Sequence, residues 1–456
     1  MNLGKAYKSI YFVGVGGIGM SALALVLKSM GYWVSGSDSK QSTITDMLQE
    51  KDINVSIGDN AIIPDNIDLL VYSSAVPTTH PHRLFAKENN IPEMRRAELL
   101  GGIFLTHKSR LAIAGTHGKT TTTAMVGHIF ERNGMKPTVL VGGILQNSKL
   151  NGIYEKGDVC IVEADEYDRS FLALSPTGSI VTTLDEDHLD IYKDLNDIKA
   201  TFISFLEKTP SSGLNILCND APNIRDILPN LTKPYVLYGF NNEADFHVSI
   251  NEIIEGKTYF SIKHENDVYN LTLQLPGEHN VLNAAAAFII SLHNGIDAIG
   301  AISALSNFSG VERRFEFIGE AGNIKIYDDY AHHPAEVTAT LSAVKSVFPH
   351  RRIVVIFQPH LYSRTRDFAN EFAEALSMAH FVLLADIYPA REKAIEGVSS
   401  QMIYAKITSA KLSLGPIYNA ESVIFDALQP NDIVLTMGAG DVWKMGRQLL
   451  TRIAAN

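Results

Sequence analysis

The sequence has few of the features that mark secreted, membrane-spanning or nucleic-acid-binding proteins. Its 456 residues include only two cysteines, Cys160 and Cys218, too few for a disulfide framework or a four-thiolate metal site. No apolar run approaches the roughly 20 residues that a transmembrane helix needs. The formal net charge of −11 lacks the basic excess typical of nucleic-acid binding. We therefore expect no membrane insertion and no nucleic-acid partner.

The amino-terminal segment also lacks the marks of a secretory signal. MNLGKAYKSIYFVGVGG runs directly into an apolar strand and a glycine turn, without an apolar signal region or a cleavage site. Together with the low cysteine content, this predicts a cytoplasmic protein. The length exceeds what one hydrophobic core usually organises, so the sequence predicts several domains. The sequence gives no indication of the oligomeric state.

Short apolar segments alternate with helical segments along most of the chain, a pattern typical of α/β proteins with mostly parallel sheets. The pattern divides into three segments, 1–108, 109–314 and 315–456, each opening with an apolar strand. The stretch from Tyr235 to Leu275 is more polar and has a period of two, which predicts antiparallel hairpins. We expect two Rossmann-like domains around a central domain of the phosphate-loop ATPase type, whose mostly parallel sheet carries an antiparallel insert.

The first glycine turn, GVGGIG, lies between a predicted strand and a predicted helix. Gly14, Gly16 and Gly19 form the GxGxxG pattern, which lets backbone N–H groups at a helix N-terminus approach an anion. Asp38 ends the next strand, where dinucleotide-binding folds place a ribose acceptor. The turn is compatible with a nicotinamide or flavin cofactor, with another nucleotide diphosphate, or with a tight turn that binds nothing.

The second glycine turn, GTHGKT, is more specific. Gly115, Gly118, Lys119 and Thr120 form a shortened phosphate loop, with Ile113 where the longer pattern has its first glycine. Glycines provide N–H donors, the lysine neutralises β- and γ-phosphates, and the hydroxyl ligates Mg²⁺. Two nucleotide-type turns in one chain argue against a simple dehydrogenase.

Polar residues that could complete these sites follow other predicted strands. Glu163 ends one buried strand, and His188 lies a few residues beyond another. Asn280 and Asn283 stand one helical turn apart and could face an adenine edge or cap a helix. In the third segment, the loops DDYAHHP and FQPHLYSRT concentrate histidines and arginines just after strands, where an open α/β sheet binds ligands. Arginine there suits a carboxylate because its planar fork binds both oxygens.

Several motifs together resemble the Mur ligases, the ATP-dependent amide-forming enzymes of peptidoglycan precursor synthesis. GVGGIGMS and AIAGTHGKTTTT are similar to the family's two glycine turns. The resemblance continues to the end of the chain through motifs in the family's order: VEADEYDRSFL, DEDHLDIY, LPGEHNVLNAAAA, ERRFE, DDYAHHPAEV, FQPHLYSRT and GAGDVW. The family phosphorylates a carboxylate with ATP, and an amine then attacks the acyl phosphate. The resemblance implies ATP and Mg²⁺ as cofactors, with UDP-N-acetylmuramate and L-alanine as substrates.

The resemblance also assigns roles to residues of this sequence. Lys119, His333 and Arg364 would be catalytic. The metal would be held by Thr120, Glu163 and His188. The acceptor would be bound by His332, His333, His360 and Arg364. ATP would be bound by Gly115, Thr116, His117, Gly118, Lys119, Thr120, Thr121, His279, Asn280, Asn283 and Arg314. The UDP-sugar would be bound by Gly14, Gly16, Gly17, Ile18, Gly19, Met20, Asp38, Ser73 and Ser74.

One position departs from the family pattern, and three other functions remain as alternatives. Leu361 stands where much of the family has an arginine, which puts any contact of that guanidinium in doubt. The first alternative is a ligase that attaches a preformed tripeptide to the same UDP-sugar. A nicotinamide-dependent oxidoreductase would use GxGxxG and Asp38 but leaves Lys119 without a role. A non-catalytic nucleotide-binding regulator would not depend on Lys119 for any turnover.

Overall fold

The computed structural model describes residues 7–58, 63, 64, 66–187, 191–254, 256–390 and 392–455. They form two compact units. The first contains the residues up to Ser249 together with Phe260–Thr272 and Leu282–Ser309. The second contains Ile250–Tyr259, Leu273–Val281 and the residues from Gly310 onward. Among the described residues, no helix combines the length and the apolar character needed to cross a bilayer.

The amino-terminal sheet is parallel and doubly wound. Its strands are β1 (Ser9–Val13), β2 (Trp33–Asp38), β3 (Asn54–Ile57), β4 (Leu69–Tyr72) and β5 (Glu93–Arg95). They lie in the order β3-β2-β1-β4-β5. The helices are α1 (Ile18–Ser29), α2 (Thr43–Glu50), α3 (Pro81–Glu88) and α4 (Arg96–Phe104). The order in which successive strands are added reverses between β1 and β4, which places the GVGGIG turn at the crevice where such sheets bind ligands.

The central sheet carries the second glycine turn. Its strands are β6 (Ser109–Ala114), β7 (Thr138–Leu140), β8 (Gly152–Tyr154), β9 (Val159–Glu163), β10 (Gly178–Val181), β11 (Leu214–Cys218), β12 (Tyr235–Gly239), β13 (Phe246–Ile254), β14 (Lys257–His264) and β15 (Asp267–Leu273). Their order is β15-β14-β13-β12-β11-β10-β6-β9-β7-β8. Since β6 pairs in parallel with both β9 and β10, the loops after these three strands meet at one edge.

Helices connect the strands of the central sheet. They are α5 (Lys119–Arg132), α6 (Leu195–Leu206), α7 (Pro222–Ile227), α8 (Glu278–His293) and α9 (Ala298–Ser306). Asp194 caps α6 by accepting the backbone N–H of Asp197, which explains why that helix begins where it does. The alanine-rich segment predicted as a helix is α8, and its run Ala284–Ile290 is buried.

The prediction of antiparallel hairpins between Tyr235 and Leu275 is wrong for its first strand. β12 pairs in parallel with β11 and, over a short register, with β13. β14 and β15 are neighbours joined by two residues, Glu265 and Asn266, and only antiparallel strands permit so short a connection. Alternating polarity indicates that a strand has one solvated face, but it does not fix the direction of its neighbour.

Helix α1 packs against the short strand β8. Gly152 lies so close to this helix that a Cβ atom there would stand 2.3 Å from the carbonyl oxygen of Ala22. The neighbouring Asn151 is completely buried, and its Nδ2 donates to the Ile18 carbonyl (2.7 Å) and to the Ser21 hydroxyl (2.9 Å). The helix that follows the first glycine turn is therefore anchored on the central sheet.

The carboxy-terminal sheet has helices on both faces. Its strands are β16 (Glu316–Ala321), β17 (Ile324–Asp329), β18 (Ile353–Phe357), β19 (Phe381–Ala385), β20 (Ala410–Gly415) and β21 (Ile433–Met437), in the order β16-β17-β21-β18-β19-β20. Its helices are α10 (Pro334–Val347), α11 (Tyr362–Asp367), α12 (Ala369–Leu376), α13 (Gln401–Tyr404), α14 (Glu421–Ala427) and α15 (Trp443–Ala454). Only β16 runs antiparallel to its neighbour.

Strand β18 shows how this sheet is buried. Ile353, Val355 and Phe357 belong to one apolar core, with residues of α10, α12 and α13, while Val354 and Ile356 belong to another, with residues of α14 and α15. A strand covered on both faces should read as a continuous apolar run, which IVVIF does. The three-domain α/β fold with mostly parallel sheets is therefore confirmed. The proposed boundaries at residues 108 and 314 stay predictions.

Candidate active site

The phosphate loop connects β6 to α5, and its glycines sit where no side chain fits. Gly115 has a φ of 131° and Gly118 a φ of 86°. A Cβ atom on Gly115 would lie 2.2 Å from the Thr182 hydroxyl oxygen, and one on Gly118 would lie 2.6 Å from Asn283 Oδ1. The loop is thus pressed against β10 on one side and against α8 on the other. Asn283, predicted to bind ATP, is brought directly against the loop.

The first part of the loop is fixed by hydrogen bonds to the segment after β10. The Thr116 N–H donates to the Thr183 carbonyl (3.1 Å), and the His117 N–H donates to the Thr183 hydroxyl (2.8 Å). The Asp185 N–H donates to the Thr116 hydroxyl (2.8 Å). Two backbone donors of the loop are therefore already used within the protein. A phosphate would instead meet the first-turn N–H groups of α5, whose N-cap is a glycine without a capping side chain.

Lys119 is the first residue of α5 and lies folded back over the loop. Its Nζ donates to the carbonyl oxygens of Gly115 (2.6 Å) and Thr116 (3.2 Å) and to Glu166 Oε1 (2.8 Å). Burial lowers the pKa of the Lys119 ammonium, but the carboxylates of Glu166 and Asp165 outweigh this effect and raise the pKa above its ordinary value. The cation therefore persists in a largely buried position.

Glu163 ends β9 and faces the hydroxyl of Thr120. The Thr120 hydroxyl donates to Glu163 Oε1 (3.0 Å), and the Gly142 N–H donates to Glu163 Oε2 (2.7 Å). A Cβ atom on Gly142 would stand 2.6 Å from the carboxylate, so this position also requires glycine. The structure thus brings together two of the three predicted metal ligands. The third, His188, lies outside the described residues.

The pair fits a hard divalent cation by its chemistry. A hydroxyl and a carboxylate at the start of a phosphate-loop helix are the oxygen donors that Mg²⁺ prefers alongside substrate phosphates. Within the described ranges, no three histidine, cysteine, aspartate or glutamate side chains converge as a complete metal cage. Any further ligand of such a metal would be a phosphate oxygen, water or a residue outside those ranges.

The first glycine turn is built around Asp38. Gly14 has a φ of 78°, and the N–H groups of Gly14 and Val15 both donate to the Ser37 carbonyl. Asp38 Oδ2 accepts the N–H of Gly16 (2.9 Å), so this carboxylate holds the turn itself as well as standing at the predicted ribose position. Ile18 and Met20 lie in the first turn of α1 and follow the N-cap residue Gly17.

Two further strand ends contribute to this crevice. Ser73 and Ser74 directly follow β4, the parallel neighbour of β1, and so lie at the same edge as the glycine turn. Arg96, at the start of α4, covers Gly19, where a Cβ atom would lie 3.1 Å from the guanidinium. Arg96 Nη2 is also 3.8 Å from Asp165 Oδ2. Asp165 belongs to the loop that follows Glu163, so this arginine lies between the two glycine-turn regions.

The carboxy-terminal sheet gathers the predicted acceptor residues. The rings of His332 and His360 lie 5.8 Å apart, and the His360 ring stacks on Tyr388 at 5.9 Å. Burial lowers the pKa of His332 to about 4, with Arg364 and Arg314 adding to the effect and Glu336 opposing it. His332 is therefore neutral near pH 7, and Arg364 lies close enough to affect its charge.

His333 is the N-cap residue of α10. Its Nδ1 accepts the Ala335 N–H at 3.4 Å, and its ring packs edge-on against Phe368 at 5.1 Å. Glu336 completes the cap, because its Oε2 accepts the backbone N–H groups of His332 (3.0 Å) and His333 (3.3 Å). The backbone of both histidines of DDYAHHP is thus fixed by Glu336, a residue of the helix that follows them.

Arg314 and His279 lie near the same glutamate within the second unit. Arg314 Nη1 is 3.7 Å from Glu336 Oε1, and its guanidinium lies 5.1 Å from the centre of the Tyr330 ring. Burial lowers the pKa of His279 to about 4, and the Glu336 charge opposes this while Arg314 reinforces it. Asn280 uses its Nδ2 to donate to the Pro276 carbonyl (2.7 Å), so its amide stabilises the start of α8.

The loops after β18 and β21 approach each other closely. A Cβ atom on Gly438 would lie 2.4 Å from the Gln358 carbonyl, and one on Gly440 would lie 2.4 Å from Gln358 Oε1. A cavity of about 420 Å³ opens beside them, lined among others by Tyr388 and Asp441. The glycines of GAGDVW are therefore required for close approach as well as for the turn. Leu361 is the N-cap residue of α11 and has a φ of 71°, a backbone conformation that suits glycine better than leucine.

Sequence reasoning left several contributing residues without a role. Gly142 shapes the Glu163 position, Thr183 fixes the loop and Glu166 pairs with Lys119. The Gly-Gly pair that contains Gly142 follows a short apolar run and could have been recognised as a close-approach site. Glu166 lies in the acidic run that follows Glu163, and periodicity does not tell which carboxylate of this run is buried.

The fold and these two glycine turns are typical of multidomain α/β proteins that bind nucleotides at a phosphate loop. Profiles of "Mur ligase family, catalytic domain", "Mur ligase middle domain" and "Mur ligase, glutamate ligase domain" match residues 9–108, 113–291 and 313–440. The chain belongs to the Mur ligase family. The resemblance noted from the sequence motifs is thereby confirmed.

Individual relatives match along nearly the whole chain. The UDP-N-acetylmuramate--L-alanine ligase of Geotalea uraniireducens is 42% identical over 455 residues, 99% of each chain. The crystal structure of a UDP-N-acetylmuramate-alanine ligase from Thermotoga maritima superposes with a TM-score of 0.85 at 29% identity, covering 98% of this chain and 99% of the other. A murein peptide ligase from Psychrobacter arcticus has a TM-score of 0.75 at 23% identity, covering 98% and 99%, and so shows the shared fold.

Proposed function

We infer that the protein is an ATP-dependent ligase that joins the carboxylate of UDP-N-acetylmuramate to the amine of L-alanine in peptidoglycan precursor synthesis. The observation that carries this inference is the full-length match, at 39–42% identity, to ligases of that name. Lys119 and Thr120 at the phosphate loop, with Glu163 opposite, support the ATP-dependent step. Cytoplasmic location and the domain boundaries at 108 and 314 belong to this proposal.

The reaction has two balanced steps. An oxygen of the muramoyl carboxylate attacks the γ-phosphorus of ATP, the bond to the bridging oxygen breaks, and ADP leaves. The alanine nitrogen then attacks the acyl carbon, inorganic phosphate leaves, and the nitrogen gives up a proton. Catalysis of the first step rests on positioning and on neutralising negative charge, because carboxylate and γ-phosphate repel each other.

The ATP contacts follow from the geometry of the phosphate loop. The ammonium of Lys119 and the first-turn N–H groups of α5 are the positive groups that a γ-phosphate would meet. Thr120 and Glu163 would hold Mg²⁺, with His188 as their proposed companion. When bound, the metal neutralises phosphate charge and orients the phosphoryl group. Asn283 touches the loop and would fix the nucleotide from the side of α8. The remaining ATP residues proposed are Gly115, Thr116, His117, Gly118, Thr121, His279, Asn280 and Arg314.

The UDP-sugar would bind at the switch point of the amino-terminal sheet. The N-terminus of α1 favours a diphosphate through its N–H groups and its dipole. Ser73 and Ser74 lie at the same edge, where their hydroxyls could donate to the nucleotide. The proposed contacts in the turn are Gly14, Gly16, Gly17, Ile18, Gly19, Met20 and Asp38.

The acceptor amino acid would bind in the carboxy-terminal sheet. Arg364 would pair with its carboxylate, and His332 and His360 would line the site. His332, being neutral near pH 7 and of low basicity, suits the acceptance of a hydrogen bond from the amine more than proton uptake. His333 is the proposed base that removes the proton of the amine.

The decisive experiment is ADP release with UDP-N-acetylmuramate and a panel of acceptors. L-alanine should support turnover, whereas a preformed tripeptide should not. We expect Lys119→Ala to lower kcat by roughly three orders of magnitude while UDP-N-acetylmuramate still binds. Lys108→Ala is the matched control, since Lys108 is an exposed lysine paired with Asp158. Turnover with the tripeptide alone, or full activity of Lys119→Ala, would overturn the proposal.

A further inference from the structure

Within the part of the chain that the structure describes, Glu166 is the carboxylate that accepts a hydrogen bond from Lys119. The three donors of the Lys119 ammonium are directed to two loop carbonyls and to Glu166 Oε1 at 2.8 Å. Side-chain exposure is 13% for Lys119 and 4% for Glu166, so the pair is shielded from water. A polyphosphate that approaches this loop therefore meets a cation that is already paired with a carboxylate.

The loop that carries Glu166 is held in a strained conformation. Asp168 and Arg169, in the 3₁₀ segment Tyr167–Ala173, have φ values of 54° and 53°, which cost free energy in residues other than glycine. Arg169 offsets this cost with an ion pair to Asp197 of α6, in which its Nη2 donates to both carboxylate oxygens at 2.9 and 2.7 Å. The Tyr192 hydroxyl donates to the Glu166 carbonyl at 2.6 Å. Glu166 is thus placed on Lys119 by anchors outside the phosphate loop.

The rest of the segment is fixed by apolar packing. The Phe171 ring stacks on Phe205 at 4.7 Å and meets Phe202 edge-on at 5.1 Å. Both partners belong to α6, the helix that also holds Arg169. This arrangement keeps the Glu166 carboxylate at the lysine even though burial disfavours its charged form.

The Glu166 carboxylate and a nucleotide phosphate cannot both pair with the Lys119 ammonium without repelling each other. Burial raises the pKa of Glu166 to about 7, the Lys119 charge opposes this, and the Asp165 charge adds to it. A γ-phosphate placed at the ammonium would bring a second anion beside a buried carboxylate, in surroundings where water screens little. The pair must therefore loosen, or the carboxylate must lose its charge, when the nucleotide binds.

We propose that Glu166 is a positioning residue that locks Lys119 over the phosphate loop and competes with the nucleotide phosphates for its ammonium. The pairing weakens nucleotide affinity, because the phosphates must compete with the Glu166 carboxylate for the ammonium. The proposal rests on the function proposed above, because it takes this loop as the ATP site. This role differs from that of a purely stabilising ion pair in one measurable respect. Removing the Glu166 carboxylate should strengthen nucleotide binding.

The test is the Kd of ADP and of ATP, with and without Mg²⁺, measured by calorimetry on the full chain. Glu166→Gln keeps the shape and an acceptor oxygen but removes the charge, so we expect at least fivefold tighter binding. Asp168→Asn removes the charge of an exposed aspartate in the same loop, and asparagine tolerates its positive φ, so we expect a change of less than twofold. In a Lys119→Ala background, Glu166→Gln should tighten binding by less than twofold, because the competition for the ammonium is gone and only direct repulsion of the phosphates remains.

A second variant acts on the anchor of the lock. Arg169→Gln breaks the pair with Asp197 but leaves Glu166 and Lys119 unchanged, and we expect binding at least twofold tighter. Unchanged or weaker nucleotide binding in folded Glu166→Gln, or in Arg169→Gln if the former does not fold, overturns the lock. If the wild-type protein binds neither ADP nor ATP, the proposed function fails instead, so the two failures are distinguishable.

Discussion

Three loop positions beside the central sheet require glycine because polar atoms of neighbouring segments lie close to their backbone. Gly115 makes room for the Thr182 hydroxyl, Gly118 for the Asn283 amide and Gly142 for the Glu163 carboxylate. Only the first two lie in the recognisable phosphate-loop pattern. Each removes a Cβ atom at a point where a functional group of another strand or helix must approach the backbone. The site is therefore assembled by neighbours that the local sequence does not reveal.

At the residue scale, Asp329 should make stability depend on pH. Burial raises its pKa to about 6, against the effects of Arg314 and of the Ala331 N–H. The folded state thus retains a proton that the unfolded chain has lost between pH 3.8 and 6, and stability falls as pH rises through this window. Relative to Asp329→Asn, the wild-type free energy of unfolding should fall by about 2 kcal/mol from pH 4 to pH 7.

The measurement is thermal unfolding of both proteins across that pH range. Asp367→Asn is the control, because Asp367 is an exposed aspartate that pairs with the adjacent Arg366. The difference in free energy of unfolding between Asp367→Asn and the wild type should not vary with pH in this way. A wild type that gains stability relative to Asp329→Asn as pH rises would contradict the expected sign.

At the scale of elements, the start of α10 links a capping box to the acceptor site. Glu336 accepts two backbone N–H groups and also approaches Arg314 and His332. Glu336→Ala should lower the free energy of unfolding by about 1–2 kcal/mol, the usual effect of losing a cap. It should also raise the KM for L-alanine, since the histidines lose their backbone support.

Glu371→Ala is the matched control for this prediction. Glu371 also lies in the first turn of its helix, α12, where its charge interacts favourably with the helix dipole. The N-cap of α12 makes no side-chain hydrogen bond. Glu371→Ala should lower the free energy of unfolding by less than about 0.5 kcal/mol. It should leave the KM for L-alanine unchanged. Equal effects of the two variants would show that the capping box does not support the acceptor loop.

Strands that are continuous apolar runs could be predicted from the sequence. Short strands and partly exposed edge strands could not. The strands LAIA, VCIVE and IVVIF, buried on both faces, read as continuous apolar runs. β7 and β8 have only three residues each, too few to establish a period. β16 and β20 are edge strands whose partly exposed residues resemble a loop. The parallel direction of β12 depends on the strand beside it, which local periodicity does not encode.

The same limit applies to the site. The Lys119 and Glu163 regions were evident because glycine, lysine and strand-end carboxylates have recognisable spacing. The pairing of Glu166 with Lys119 was not evident, because it depends on two positive-φ residues and on an anchor in α6. Chemistry encoded in one short segment was therefore predictable, and chemistry encoded by packing between segments was not.

At the scale of the whole molecule, the first compact unit joins both glycine turns. Asn151 contributes by hydrogen bonding to Ile18 and Ser21 of α1 from its buried position. Asn151→Ala should lower the free energy of unfolding by about 1–3 kcal/mol, because it leaves buried polar groups without that donor. It should also weaken UDP-N-acetylmuramate binding, since α1 begins at the glycine turn.

Calorimetry and thermal unfolding would test both effects. Ser21→Ala removes one acceptor but leaves the contact between Asn151 and the Ile18 carbonyl, so its effects should be smaller. Equal stability and equal ligand affinity of the two variants would show that the Ile18 contact does not support the turn.

The close packing of Gly152 under α1 also bears on which pieces of this protein can be prepared alone. A fragment that stops at residue 108 would uncover the side of α1 that β8 contacts and would remove the amide that reaches Ile18. Its isolated sheet would expose apolar surface and invite self-association. A minimal fragment for screening compounds against the first glycine turn should therefore extend through β9, so that the helix keeps the surface on which it rests.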